Sequence, residues 1–144
     1  MSLQAALTGI SGILVTPFDE GDRIAPARLA PIIDRALGAG LHIPVVNGNT
    51  GEFYALTVDE AETMCAQVCG MVAGRAPVLA GVGRSVGDAC RLARAAAGAG
   101  AAGLMVHQPP DPFVSPRGVV DYVRRVADAG GGSVSYTHLR AHET

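Results

Sequence analysis

The sequence contains no lysine and no tryptophan, and all of its 11 basic residues are arginines. Without a lysine these residues supply no side-chain amine to attack a carbonyl, because arginine stays protonated and is no nucleophile. Charge of any kind is scarce, at 17%, and the net value is −2 with a pI near 6.0. That balance leaves no basic surface for a nucleic-acid backbone. The three cysteines are an odd number with no CxxC pair, which excludes a disulfide framework and fits reduced thiols. No apolar run approaches the roughly 20 residues of a membrane span. No charged segment followed by an apolar one opens the chain as a secretory signal does. The expected location is therefore cytoplasmic, with neither membrane nor nucleic acid as a partner. What is abundant is apolar. A hydrophobic fraction of 49% and a mean hydropathy of +0.29 over 144 residues suffice for the core of one domain and exclude general disorder.

Four apolar runs alternate with four helical patterns. The runs, at 10–15, 43–46, 78–82 and 104–106, lack the polar alternation of a half-exposed strand. Each reads as a strand buried on both faces of a parallel sheet. Between them, Leu29, Ile32, Ile33, Ala36 and Leu37 follow the spacing of one buried helical stripe. Ala61, Met64, Cys65, Val68, Cys69 and Val72 repeat it behind a capping box of Thr57 and Glu60. Val86, Ala89, Cys90 and Ala93 form a third stripe with Ser85 as its cap. Val119, Val120, Val123 and Val126 form a fourth, capped by Ser115 with Pro116 in the first turn. Gly-Ala-Gly at 38–40 and again at 98–100 ends two of the helices, where glycine takes a left-handed backbone without penalty. Strand, helix and strand recurring about every 30 residues give right-handed βαβ units, and the fold class is α/β.

After Gly130 the pattern breaks. A fifth strand is due, but residues 133–144 offer only Val134 and Leu139 as larger aliphatics. This segment resembles tails of unrelated translations in which adapter sequence has been read as protein. Residues 131–144 are expected to lie outside the pattern, which fills 1–130. His138 and His142 would share a helix face, but no glutamate completes an HExxH, and no metal site is expected.

Two glycine-bearing segments invite a functional reading. Gly81-Val-Gly83-Arg-Ser-Val-Gly87 follows a strand and opens a helix, as a dinucleotide fingerprint does. Its spacing is GxGxxxG and no acidic residue follows about 20 positions on, so it reads as a tight strand-to-helix turn. Asn47-Gly48-Asn49-Thr50-Gly51-Glu52-Phe53 follows the second strand at the end where α/β proteins place their sites. Its glycines let the backbone approach a ligand, so amides and the Thr50 hydroxyl could cradle a small carboxylate. A plain turn is equally compatible. Glu52, an acceptor when ionised, reads as a brace for the loop, and Cys65 and Cys69 read as buried structural thiols.

Val15-Thr16-Pro17-Phe18-Asp19, the 48–53 segment, Leu56-Thr-Val-Asp-Glu60 and Pro77-Val-Leu-Ala-Gly-Val-Gly83 occur in this order and spacing. Together they resemble the N-terminal half of the dihydrodipicolinate synthase / N-acetylneuraminate lyase family over residues 9–130. The resemblance implies a (β/α)8 TIM barrel of about twice this length, with this chain an incomplete barrel of about four βα units. It implies a lyase or aldolase acting on pyruvate or another 2-oxo acid through a Schiff base, with no cofactor, in a homotetramer. The lysine of that Schiff base stands on the family's sixth strand, beyond this chain. Two alternatives stay open. Gly51-Glu52-Phe53 is closer to dehydratases of sugar-derived keto acids in the same family. A non-catalytic anion- or nucleotide-binding domain would use 81–87 instead.

By the same resemblance, Thr50 and the amides around Asn49, with Gly48, Gly51 and Thr16, hold the substrate carboxylate. The family usually has threonine in a proton relay where this chain has Asn49, and an amide cannot pass on its own proton at neutral pH. The family's acid–base tyrosine is also missing from the loop His107-Gln-Pro-Pro-Asp111-Pro-Phe113. Asp111 falls nearest the matching position and His107 sits at the strand end. Either could transfer protons, and the plain alternatives are a loop-turn aspartate and a histidine packed at the barrel mouth. Tyr54 is near the anion loop but in the wrong place to be that tyrosine. Half a barrel also leaves its outer strand edges unpaired.

Overall fold

Strand and helix alternate from α1 (Leu3–Ala6) through β1 (Ser11–Ile13), α2 (Ala30–Gly38), β2 (Ile43–Val46), α3 (Val58–Val72), β3 (Leu79–Val82), α4 (Val86–Gly98), β4 (Gly103–Val106) and α5 (Pro116–Ala129) to β5 (Val134–Tyr136). The computed structural model describes residues 3–111, 113–131 and 134–136. Hydroxyl caps set the helix starts, because the first amides of a helix have no intrahelical acceptor. Thr57 and Glu60 form both halves of the capping box at α3, and Ser85 and Ser115 accept from Asp88 N and Gly118 N at the heads of α4 and α5. Gly40 and Gly100, just past the ends of α2 and α4, take φ +91° and +87° as their positions demand.

The stripes are narrower than the spacing suggests. In α2 the buried residue is Ile33, with Leu29 packed just ahead of it, while Ile32 is exposed. The turn of 3-10 helix at Pro26–Leu29 precedes α2 and fixes its phase, so the helix rests on the 29/33/37 line. Val86 and Val120 likewise face solvent, and Tyr122, outside the expected stripe, is the large buried residue of α5 with Val126.

All five strands are parallel in the order β1-β2-β3-β4-β5. A doubly wound sheet reverses its strand order at a switch point. This one adds each new strand on the same side, which is how a barrel wall is built. Its helix-facing side carries Leu14, Val46, Ala80, Val82, Leu104 and Val106 in one core with the buried faces of α3 and α4. The other side carries Ile43, Val45, Leu79 and Met105, joined by Ala6 and Leu3 of α1. That short helix, unsignalled by any periodicity, closes the inner face at the bottom of the wall.

Two expectations about the ends change. β1 is not buried on both faces, since Ile10, Ile13 and Val15 are 64%, 40% and 47% exposed along the unpaired edge. Residues 134–136, placed by sequence in a tail outside the pattern, pair with β4 through Leu104↔Val134, Met105↔Ser135 and Val106↔Tyr136. The neighbouring strand supplies the pairing that composition does not announce. His138 and His142 lie outside the described residues.

Candidate functional site

At the end of β2 the chain turns sharply on Asn47, whose φ of 58° is left-handed. Asn47 is buried, and its Nδ2 donates to Ala61 O of α3 at 2.8 Å. A turn of 3-10 helix, Asn49–Gly51, follows, then Glu52 at φ 58° and a second such turn, Phe53–Ala55. Asn49 and Thr50 are exposed. Their amides head the turn, where no intrahelical acceptor exists, and the Thr50 hydroxyl stands beside them in sequence. The turn offers donors rather than acceptors, which suits a carboxylate.

The backbone beneath those donors is held from several sides. Thr16, 6% exposed, donates its hydroxyl to Gly51 O at 2.6 Å. A Cβ on Gly51 would lie 2.7 Å from Leu14 O, and one on Gly48 would lie 2.6 Å from the Ile13 side chain, so both positions are packed against β1. Thr16, expected among the substrate-binding residues, is therefore occupied in bracing the turn. Glu52, expected as the brace, is exposed, and none of the described residues bonds its carboxylate.

Arg84, in the β3–α4 turn, was not singled out by sequence. It has φ 78°, and its Nη2 donates to Phe53 O at 2.6 Å and to Leu56 O. Its guanidinium lies 4.9 Å from the centre of the Phe53 ring, a cation–π contact, and Tyr122 donates to Arg84 O at 3.1 Å. Phe53 itself is fully buried and stacks on His107 with centroids 4.4 Å apart at 13°. Tyr54, half exposed, meets both rings edge-on. A charged residue between two glycines and a serine was the one available signal for Arg84. Two atoms of this cluster, Asn47 Oδ1 and Arg84 Nε, are buried without a partner among the described residues. Each such atom costs about 1–3 kcal/mol, so stability is given up here.

His107, at the end of β4, is 7% exposed, and its Nε2 lies 2.8 Å from Asn47 O. Burial pulls its pKa below the usual imidazole value. The hydrogen bond to Asn47 O opposes that shift, and the Arg84 charge adds to it. Burial raises the Tyr54 and Tyr122 phenols, the latter to about 12. Neither hydroxyl is an acid at neutral pH.

Asp111 is not joined to His107. It is exposed, and its Oδ1 accepts from Phe113 N at 2.8 Å, which closes a local turn. It lines an open cleft of about 270 Å³ with Arg84, Pro109, Pro110, Val114 and Tyr122 among others. The structure thus gathers Asn49, Thr50, Gly48, Gly51 and Thr16 in one place, sets His107 behind them, and leaves Asp111 on a separate loop.

The other motifs behave as packing. At the head of α4, Ser85 bonds both Asp88 N and the Asp88 carboxylate. A phosphate at that terminus would meet this negative charge. Cys65 is buried with Cys69 half-buried beside it, and their thiols interact, which together with burial pushes the Cys65 thiol up. Among the described residues no group of three or more His, Cys, Asp or Glu is placed to hold a metal, and no helix is long and apolar enough to cross a membrane.

Residues 6–135 match the model of the dihydrodipicolinate synthetase family. Over 127 residues the chain is 34% identical to 4-hydroxy-tetrahydrodipicolinate synthase of Stenotrophomonas maltophilia strain K279a, covering 88% of this chain and 43% of that protein. The fold superimposes on dihydrodipicolinate synthase from Oceanobacillus iheyensis with a TM-score of 0.86 at 40% identity, covering 92% of this chain and 45% of the other. It also matches YagE, a prophage protein of E. coli K12 solved in complex with pyruvate, with a TM-score of 0.85 at 29% identity, covering 89% of this chain and 43% of that one. The chain spans less than half the length of these relatives.

Proposed function

The chain belongs to the dihydrodipicolinate synthetase family, and on that premise we propose that the whole protein is a lyase or aldolase acting on pyruvate or another 2-oxo acid. The 48–52 turn seats the substrate carboxylate, with the Asn49 and Thr50 amides and the Thr50 hydroxyl as donors. The observation that carries this reading is an exposed turn headed by the Asn49 and Thr50 amides, with Gly51 O held by Thr16 and the residues that follow, Phe53 and Leu56, held by Arg84. Donors held in place before the anion arrives lose little on binding it. The pyruvate complex of YagE supports the substrate class.

The bond-making group is a Schiff-base lysine of the family's sixth strand, into whose iminium electrons drain as a bond to carbon breaks. No lysine is present in this sequence. Asn49 holds an oxygen but relays no proton. Proton transfer therefore falls to Asp111, whose second carboxylate oxygen is not used in the local turn. Phe53 is fully buried and leaves no surface for a substrate, so it does not select between aldol cleavage and dehydration. Analysis of the products does.

Borohydride reduction tests the proposal. The product of the whole gene, incubated with pyruvate and borohydride, gains a reduced adduct on one lysine, and the 144-residue chain gains none. No adduct with any of a panel of 2-oxo acids would remove the Schiff-base reading.

A further inference from the structure

We propose that His107 is a positioning residue whose imidazole spans from β4 to β2 across β3 and clasps the 48–52 turn at both of its ends. β2 and β4 are not neighbours in the sheet, since β3 lies between them. The contact between His107 Nε2 and Asn47 O at 2.8 Å nonetheless joins them. It is possible because the intervening residue is Gly81. A Cβ there would lie 1.9 Å from Asn47 O and 2.9 Å from His107 Nε2, so the hydrogen bond runs through the space a side chain would fill. Gly83 makes the same allowance one step on, where a Cβ would lie 2.9 Å from the Cβ of His107 and 3.3 Å from the Phe53 ring.

Asn47 precedes the turn, and Phe53 follows it. His107 bonds the first and stacks on the second, with Tyr54 packed edge-on at 5.6 Å. The direction of the Asn47 carbonyl sets the next peptide plane, and that plane launches Gly48 and Asn49. A carbonyl oxygen only accepts, so Nε2 carries the proton and Nδ1 the lone pair in the neutral ring. If Nε2 released its proton, two lone pairs would face each other in a buried site. The imidazole thus orients the turn and does not shuttle protons through Nε2. Arg84 and Tyr54 are the charged and titratable groups facing the ring among the described residues, and the Arg84 charge opposes a second proton. The bearing of this clasp on substrate rests on the 2-oxo acid reading, whereas the clasp itself does not.

Imidazole 15N spectra of the 144-residue chain should show the Nε2-protonated tautomer, titrating below the ordinary value of about 6.5. His107→Phe keeps a ring on Phe53 but loses the donor, and amide exchange over 49–56 should rise about tenfold, the worth of one hydrogen bond. His107→Gln restores a donor and should retain most of the protection, while Gly81→Ala should lose it. An averaged or Nδ1-protonated ring, ordinary titration, unchanged exchange in His107→Phe, or equal loss in His107→Gln and His107→Phe would overturn the proposal. Pyruvate added to the same samples separates the two readings. A clasp present with no pyruvate response contradicts the substrate assignment alone, and a response without the clasp contradicts this proposal alone.

Discussion

The loops after β2 and β4 leave the same end of the same sheet and are held in opposite ways. The first is tied by groups from three other parts of the chain: Thr16 after β1, Arg84 after β3 and His107 at the end of β4. The second is tied mainly to itself, through Asp111 and the Phe113 amide, and its Phe113 side chain is 92% exposed. A turn fixed from outside presents donors at set positions before any ligand arrives. A loop held by its own short-range bonds can move as a unit. The contrast suits the anion seat proposed for the first loop and the acid–base group proposed for the second.

Substitutions that loosen the first loop should make it resemble the second. The largest effect is expected from Gly81→Ala, because a Cβ has no room against Asn47 O. A loss of about 3 kcal/mol should appear in urea unfolding, and an unchanged midpoint would mean that the strands shift freely. Arg84→Ala removes a charged donor from two carbonyls and should cost about 2 kcal/mol in the same assay. Arg84→Lys keeps the charge but loses the guanidinium plane beside the Phe53 ring, and should recover only part of that loss. Thr16→Val leaves Gly51 O without its donor and should cost about 1.5 kcal/mol.

The pH dependence sharpens the comparison further. The folded pKa of His107 is depressed by burial, so the unfolded chain binds the proton first. Stability should fall as pH drops below about 6.5 and level off beneath the folded value. His107→Phe should flatten that segment of the curve, and an unaltered slope would show that the ring does not titrate as a buried group. Asp111→Ala, in the self-held loop, should change stability by no more than about 0.5 kcal/mol.

Much of this was legible from local chemistry. Thr57 with Glu60, Ser85 and Ser115 mark the helix starts, and the unbroken apolar runs mark β2, β3 and β4, because caps and burial depend on neighbours in the chain. The turn after β2 was legible as donor-rich, with Gly48, Thr50 and Gly51 in it. What could not be read depends on register between strands. Gly81 looked like part of a glycine-rich turn, and only the parallel pairing places it between Asn47 and His107. Arg84 takes a left-handed backbone that its side-chain type does not announce. Ile32 lost its burial to the phase set by a preceding 3-10 turn, and β5 pairs without an apolar signature.

The most direct test of the carboxylate seat is a pyruvate titration of the 15N-labelled chain, followed amide by amide. Saturable shifts centred on Asn49 and Thr50, absent at 108–115 and abolished in Thr50→Val, are the expected result. Shifts that centre on the 108–115 loop, or none at saturating pyruvate, would contradict the assignment of the turn as an anion seat.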